Sequence, residues 1–96
     1  MRRICRVDNN QKDIVTQLRD LGCTVLIVSQ LKNCFDILVG YKGYNFAFEI
    51  KDNKKPFSQT QLTKGEEKFH DTWEGQVDII RTFEDAYLHM QKSGAI

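Results

Sequence analysis

Apolar residues recur along the chain with two different periods, and the changes of period mark its elements. Ile14, Val15, Leu18 and Leu21 follow helical spacing, and Gly22 directly after them supplies the left-handed stop that ends many helices. Asp8, with Gln11 three residues later, reads as a capping box at the start of that helix. From Thr24 to Ser29 the chain holds Val25, Leu26, Ile27 and Val28 without interruption, the pattern of a central strand covered on both faces. A short polar connection, Gln30 to Cys34, follows.

The next stretch, Phe35 to Lys51, alternates. Two runs rich in β-branched and aromatic residues flank Lys42-Gly43, which predicts a hairpin with a tight turn. With Tyr41 facing Tyr44, Asp36 stands directly opposite Glu49. Alternation puts Asp36, Leu38, Ala47, Glu49 and Lys51 on one face and Phe35, Ile37, Val39, Phe46, Phe48 and Ile50 on the other. The second face is core; the first carries two carboxylates and a lysine.

Asp52 to Gln61 lacks apolar periodicity, contains the only proline, Pro56, and reads as a basic loop. Thr63 and Glu66 form a further capping box, and Leu62, Glu66, Phe69 and Trp73 share one helical stripe, with His70 one residue off it. Gln76 to Arg81, with Val77, Ile79 and Ile80, predicts a short strand. Thr82 and Asp85 cap a last helix that turns Phe83, Ala86, Tyr87 and Met90 inward, and Gln91 to Ile96 is a fraying tail. The predicted order is αβββαβα, an α/β fold with a mixed sheet flanked by helices, in a single domain spanning 1–96.

Composition narrows the class. With 96 residues, 41% apolar and 28% charged, the chain suits one soluble globular domain, and no apolar run is long enough to cross a bilayer. The N-terminus has no apolar segment after its charges, so a cytoplasmic protein is expected. Cys5, Cys23 and Cys34 form no C-x-x-C pair and read as reduced, buried small hydrophobes. Net charge is only +1, so any affinity for nucleic acid has to come from local clusters. Arg2, Arg3, Arg6 and Lys12 form one; Lys51, Lys54, Lys55 and Lys64 form another beside the carboxylate hairpin. Each is either a solvated surface or a phosphate contact.

Like charges directly opposite on a sheet destabilise it by roughly 0.2–1 kcal/mol. Paired carboxylates of this kind are what a hard divalent cation accepts, and Lys51 projects beside them. At these residues the chain resembles a family. Asp36, twelve residues, then Glu49-Ile50-Lys51 is similar to the PD-(D/E)XK nuclease signature, and the surrounding chain, from about Asn10 to Leu88, resembles the small stand-alone VRR-NUC and Holliday-junction-resolvase-like members often carried by phages. Asn33-Cys34-Phe35 stands where relatives often place glycine and proline before the first aspartate.

The resemblance implies a restriction-endonuclease-like core and a Mg²⁺- or Mn²⁺-dependent endonuclease acting on DNA, as a homodimer, in a host cytoplasm if phage-encoded, without membrane or organic cofactor. It implies Asp36, Glu49 and Lys51 as catalytic residues, with Asp36, Glu49 and the main-chain carbonyl of Ile50 as metal ligands. Glu66, where relatives carry glutamine, either contacts the site or only caps Thr63. Gln11 either caps its helix or points toward the metal face. Lys54, Lys55, Lys64 and Arg3 are the expected DNA contacts. The alternatives are a catalytically silent nuclease-fold protein that binds DNA or regulates, and a structural domain in which the three residues coincide by chance.

Overall fold

A computed structural model describes residues 10–52 and 62–96. Helix α1 spans Gln11–Leu21, strand β1 Thr24–Ile27, β2 Ile37–Tyr41 and β3 Tyr44–Ile50; helix α2 spans Lys64–Thr72, strand β4 Asp78–Ile80 and helix α3 Phe83–Ser93. The order is αβββαβα, as the periodicity predicts. The four strands form one mixed sheet in the order β1-β2-β3-β4, with β1, β2 and β3 antiparallel in turn and β4 parallel to β3. Among the described residues no helix is long and apolar enough to cross a membrane.

The β2–β3 hairpin takes the expected register, Tyr41 facing Tyr44 and Ile37 facing Phe48. Its turn has positive φ at both Lys42 (49°) and Gly43 (87°), the geometry that matches the twist of the two strands. The core lies on the face predicted for it. Ile37, Val39, Phe46, Phe48 and Ile50 pack against Ile14, Val15 and Leu18 of α1, Ile80 of β4, and Ala86 and Met90 of α3. Helix α2 lies on the other side, where Phe35, Phe69 and Trp73 meet with ring centroids 5.3–6.1 Å apart. Phe35 therefore leaves the core face, because it precedes β2 and its backbone no longer follows the strand alternation.

Several expectations are corrected. Strand β1 is an edge, not a central strand: it pairs only with β2, and Leu26 and Ile27 are each more than half exposed. A continuous apolar run fits either position, and the chain fills the far side of β2 with β3 instead. Helix α1 begins at Gln11 with Asn10 as N-cap, so Gln11 opens the helix and is no capping-box partner; Asp8 lies outside the described residues. The C-terminal tail does not fray. Gly94 adopts φ 92°, the Ala95 N–H donates to the Met90 carbonyl, and Ala95 is buried. Cys23 is buried, which pushes its thiol up, and Cys34 is half-buried; both are free thiols, and Cys5 lies outside the described residues.

Candidate active site

Asp36, Glu49 and Lys51 converge where β2 begins and β3 ends. The ladder pairs β2 with β3 as far as Ile37↔Phe48, and Asp36 then departs by one residue: its N–H donates to the Phe48 carbonyl (3.0 Å), while its carbonyl still accepts from Val28 in register with β1. Asp36 thus does not face Glu49 across the ladder as expected. The offset turns its carboxylate along the strand end, where Oδ2 accepts the Ile50 N–H at 2.7 Å. The N–H and C=O of one extended residue point the same way, so the Ile50 carbonyl is aimed at the edge that Asp36 occupies.

Glu49 is held between strands. Its backbone registers with Ile79 of β4, and its side chain, on the face opposite Phe48 and Ile50, is 95% buried. Lys51 follows on the same face, its Nζ 3.7 Å from Glu49 Oε2 and 3.0 Å from Glu66 Oε1. Glu66 has two roles at once. It completes the capping box with Thr63, and the Oε1 that accepts the Thr63 N–H (2.9 Å) also accepts from Lys51. A carboxylate on an apolar stripe was the visible signal for this second contact.

Three carboxyl groups and one ammonium share this buried space. Burial, and then the charges of Asp36 and Glu66, push Glu49 up to about 9 against the weaker pull of Lys51, so at neutral pH Glu49 holds a proton and shares a hydrogen bond with Asp36. Glu66 moves the other way. Burial acts to raise it, but the hydrogen bonds from Thr63 and Lys51 outweigh burial and keep it ionised. Glu49 is the group of the site whose ionisation a dication beside it would favour.

Asn10 locks the end of the sheet that carries the acids and Lys51. Its Nδ2 donates to the carbonyl of Lys51 (2.9 Å) and to that of Arg81 (2.7 Å), tying the start of α1 to the ends of β3 and β4. Gln11 is buried beside it and accepts from Ser29 Oγ (3.2 Å), which also lies 3.3 Å from the Asp36 carbonyl. Gln11 is therefore linked to the backbone of Asp36 and not to the carboxylates. Gln76 acts as a missing strand residue, its amide accepting from the Ala47 N–H (2.7 Å) and donating to the Ala47 carbonyl (2.9 Å). Asp52 is buried directly after Lys51. Asn10, Ser29 and Gln76 carry no local sequence signal, because each owes its role to contacts distant in the chain. Lys64 is exposed on the first turn of α2, His70 is half-buried with its Nε2 enclosed and unpartnered, and Arg3, Lys54 and Lys55 lie outside the described residues.

Among the described residues no group of three or more His, Cys, Asp and Glu side chains is arranged to hold a metal ion. The oxygen set here is two carboxylates and a carbonyl, which suits a cation such as Mg²⁺ that keeps several of its waters. No family model matches the chain, and no curated protein or solved structure is significantly similar to it.

Proposed function

We propose that this chain is a metal-dependent endonuclease of the PD-(D/E)XK type, hydrolysing phosphodiester bonds of DNA on a restriction-endonuclease-like core, and that it acts as a homodimer. The observation that carries the reading is the buried Glu49 carboxyl, crowded by Asp36 and Glu66 and flanked by the Lys51 ammonium. A sheet gains no stability from such a group on its own. Two acids of which one must hold a proton in the metal-free protein would both be complementary, when ionised, to a divalent cation.

Asp36, Glu49 and the Ile50 carbonyl would hold Mg²⁺ or Mn²⁺. When bound, such an ion polarises a phosphoryl oxygen and lowers the pKa of water. The chain's own residues supply the rest. Asp36 is held in place at one oxygen by the Ile50 N–H. Glu49 would hold such an ion as the ionised carboxylate, its proton passing to solvent. Lys51, held by Glu66, presents its ammonium where charge gathers on the phosphoryl oxygens. Glu66 is a positioning residue for Lys51.

A catalytically silent DNA-binding or regulatory protein is favoured by one observation: Lys51 and Asp36 already have protein partners. Cleavage separates the two readings. A panel of labelled linear, nicked, flapped and four-way-junction DNAs is incubated with Mg²⁺ or Mn²⁺. Cleavage is expected with the wild type and is lost with chelator and with Lys51→Ala, by roughly a hundredfold or more as for other charge-stabilising groups. Cleavage that persists in excess chelator refutes the metal mechanism.

A further inference from the structure

We infer that the cleft between β4 and α3 binds a backbone phosphate of the nucleic-acid strand, with Arg81 and Lys92 as its contacts. The choice of ligand rests on the nuclease reading; the geometry is separate from the carboxylate site. The cleft is open, has a volume of about 340 Å³, and is lined by Ile79, Arg81, Asp85, Leu88, His89 and Lys92.

Its charges are arranged for an anion. Asp85 is the one acid of the lining, and its Oδ2 is taken by the Arg81 N–H at 2.8 Å as part of the start of α3. His89 Nδ1 lies 3.5 Å from Asp78 Oδ2. Among the described residues, the Arg81 guanidinium and the Lys92 ammonium have neither a hydrogen bond nor a carboxylate within ion-pair distance. A planar guanidinium beside a flexible ammonium suits the tetrahedral oxygens of a phosphate.

Position selects a phosphodiester over a free anion. Glu49 registers with Ile79, so Lys51 and Arg81, two residues on in each parallel strand, come next on the same face. The Lys51 N–H donates to the Ile80 carbonyl (3.0 Å), and Asn10 clamps the carbonyls of Lys51 and Arg81 together. Arg81 is thereby fixed one strand spacing, about 4.8 Å, from the backbone of the proposed catalytic lysine. Strand β4 is the edge of the sheet. A nucleic-acid strand with its reacting phosphate at Lys51 can leave over that edge and set a neighbouring phosphate in the cleft, with Leu88, half exposed, against its sugar.

The test is fluorescence anisotropy of a labelled DNA duplex, in chelator, across a range of salt. The Arg81→Gln/Lys92→Gln protein should bind more weakly and lose about 0.9 from the log–log salt slope, the share of one phosphate. Lys92→Glu alone, on an exposed turn of α3, should lose at least half of that. Lys42→Gln, at the hairpin tip and the opposite end of the sheet, should change neither quantity. Inorganic phosphate should compete only at concentrations far above those of DNA; equal competition by concentration of phosphate groups overturns the phosphodiester in favour of a free-anion site. In cleavage, the double variant should raise KM more than it lowers kcat. An unchanged salt slope in the double variant overturns the cleft while cleavage by the wild type keeps the nuclease reading. Slope loss with no cleavage by either protein keeps the cleft and removes that reading. A wild type that binds no DNA overturns the inference.

Discussion

Replacing Glu49 by glutamine tests the electrostatics of the site without changing its shape. In the unfolded chain this carboxyl titrates near 4.3; in the metal-free fold burial, followed by the charges of Asp36 and Glu66, pushes it up to about 9. Between those values the folded protein holds a proton that the unfolded chain lacks. Stability from this group is complete below the lower value and is lost as pH rises through the higher one, by about 1.4 kcal/mol per pH unit. Between about pH 6 and about pH 8 the loss is roughly 3 kcal/mol, a large part of the 5–15 kcal/mol typical of a small domain. Glu66 shifts down, so its contribution is lost only in acid, outside this window. Glutamine imitates the protonated acid at every pH. Urea unfolding in chelator should therefore show a wild type that weakens steadily from pH 6 to pH 8 and a Glu49→Gln variant that changes much less. Adding Mn²⁺ at the higher pH should restore the wild type, by about 2.7 kcal/mol at a hundredfold excess over Kd, and leave the variant where it was. Parallel pH profiles for the two proteins in chelator would refute the reasoning, because Glu49 would then be ionised in the fold and its neighbours would not constrain it.

Asp36→Asn keeps an amide oxygen for the Ile50 N–H, so its melt in chelator should stay near that of the wild type while metal-dependent cleavage is lost; Asp36→Ala also strands that N–H and should cost about 1–3 kcal/mol. Asn10→Ala leaves two carbonyls without their donor and should destabilise by a similar order, about 1–3 kcal/mol in urea titration. Thr63→Ala removes the hydroxyl that accepts the Glu66 N–H and should cost about 1 kcal/mol in urea titration, with cleavage little changed because the Thr63 N–H and Lys51 both keep Glu66 Oε1.

Much of the fold was legible because its signals are local. Lys42-Gly43 supplies two positive-φ positions and so sets the hairpin register, and that register sorts core side chains from site side chains. Gly22 and Thr82 mark a helix end and a helix start for equally local reasons. Glu49 and Lys51 could be placed on one face by alternation alone. What failed depends on partners far along the chain. The one-residue offset at Asp36 is a property of three strands together, since Asp36 keeps register with β1 and loses it with β3. The start of α1 is decided at Asn10 by carbonyls 41 and 71 residues away, against which the capping pattern at Asp8 has no force. The exposure of β1 follows from strand order, on which the apolar run Val25 to Val28 is silent. Nothing in the sequence around Arg81 announces that β4 lies beside β3.

The Asn10 clamp bears on how the site comes into being during folding. The β2–β3 hairpin closes a short loop and can form early, carrying Asp36 and Glu49 with it, on the microsecond scale of isolated hairpins. The position of Lys51 waits for more. It requires β4 to dock in parallel beside β3 across the intervening crossover, and the residue before α1 to reach both strands at once. Pairings of such long sequence separation are slow, because loop-closure entropy is spent before the contacts return it. In that order the two acids come together before the Lys51 ammonium is set beside them, and the cluster of Asp36, Glu49, Lys51 and Glu66 exists only in the fully folded chain.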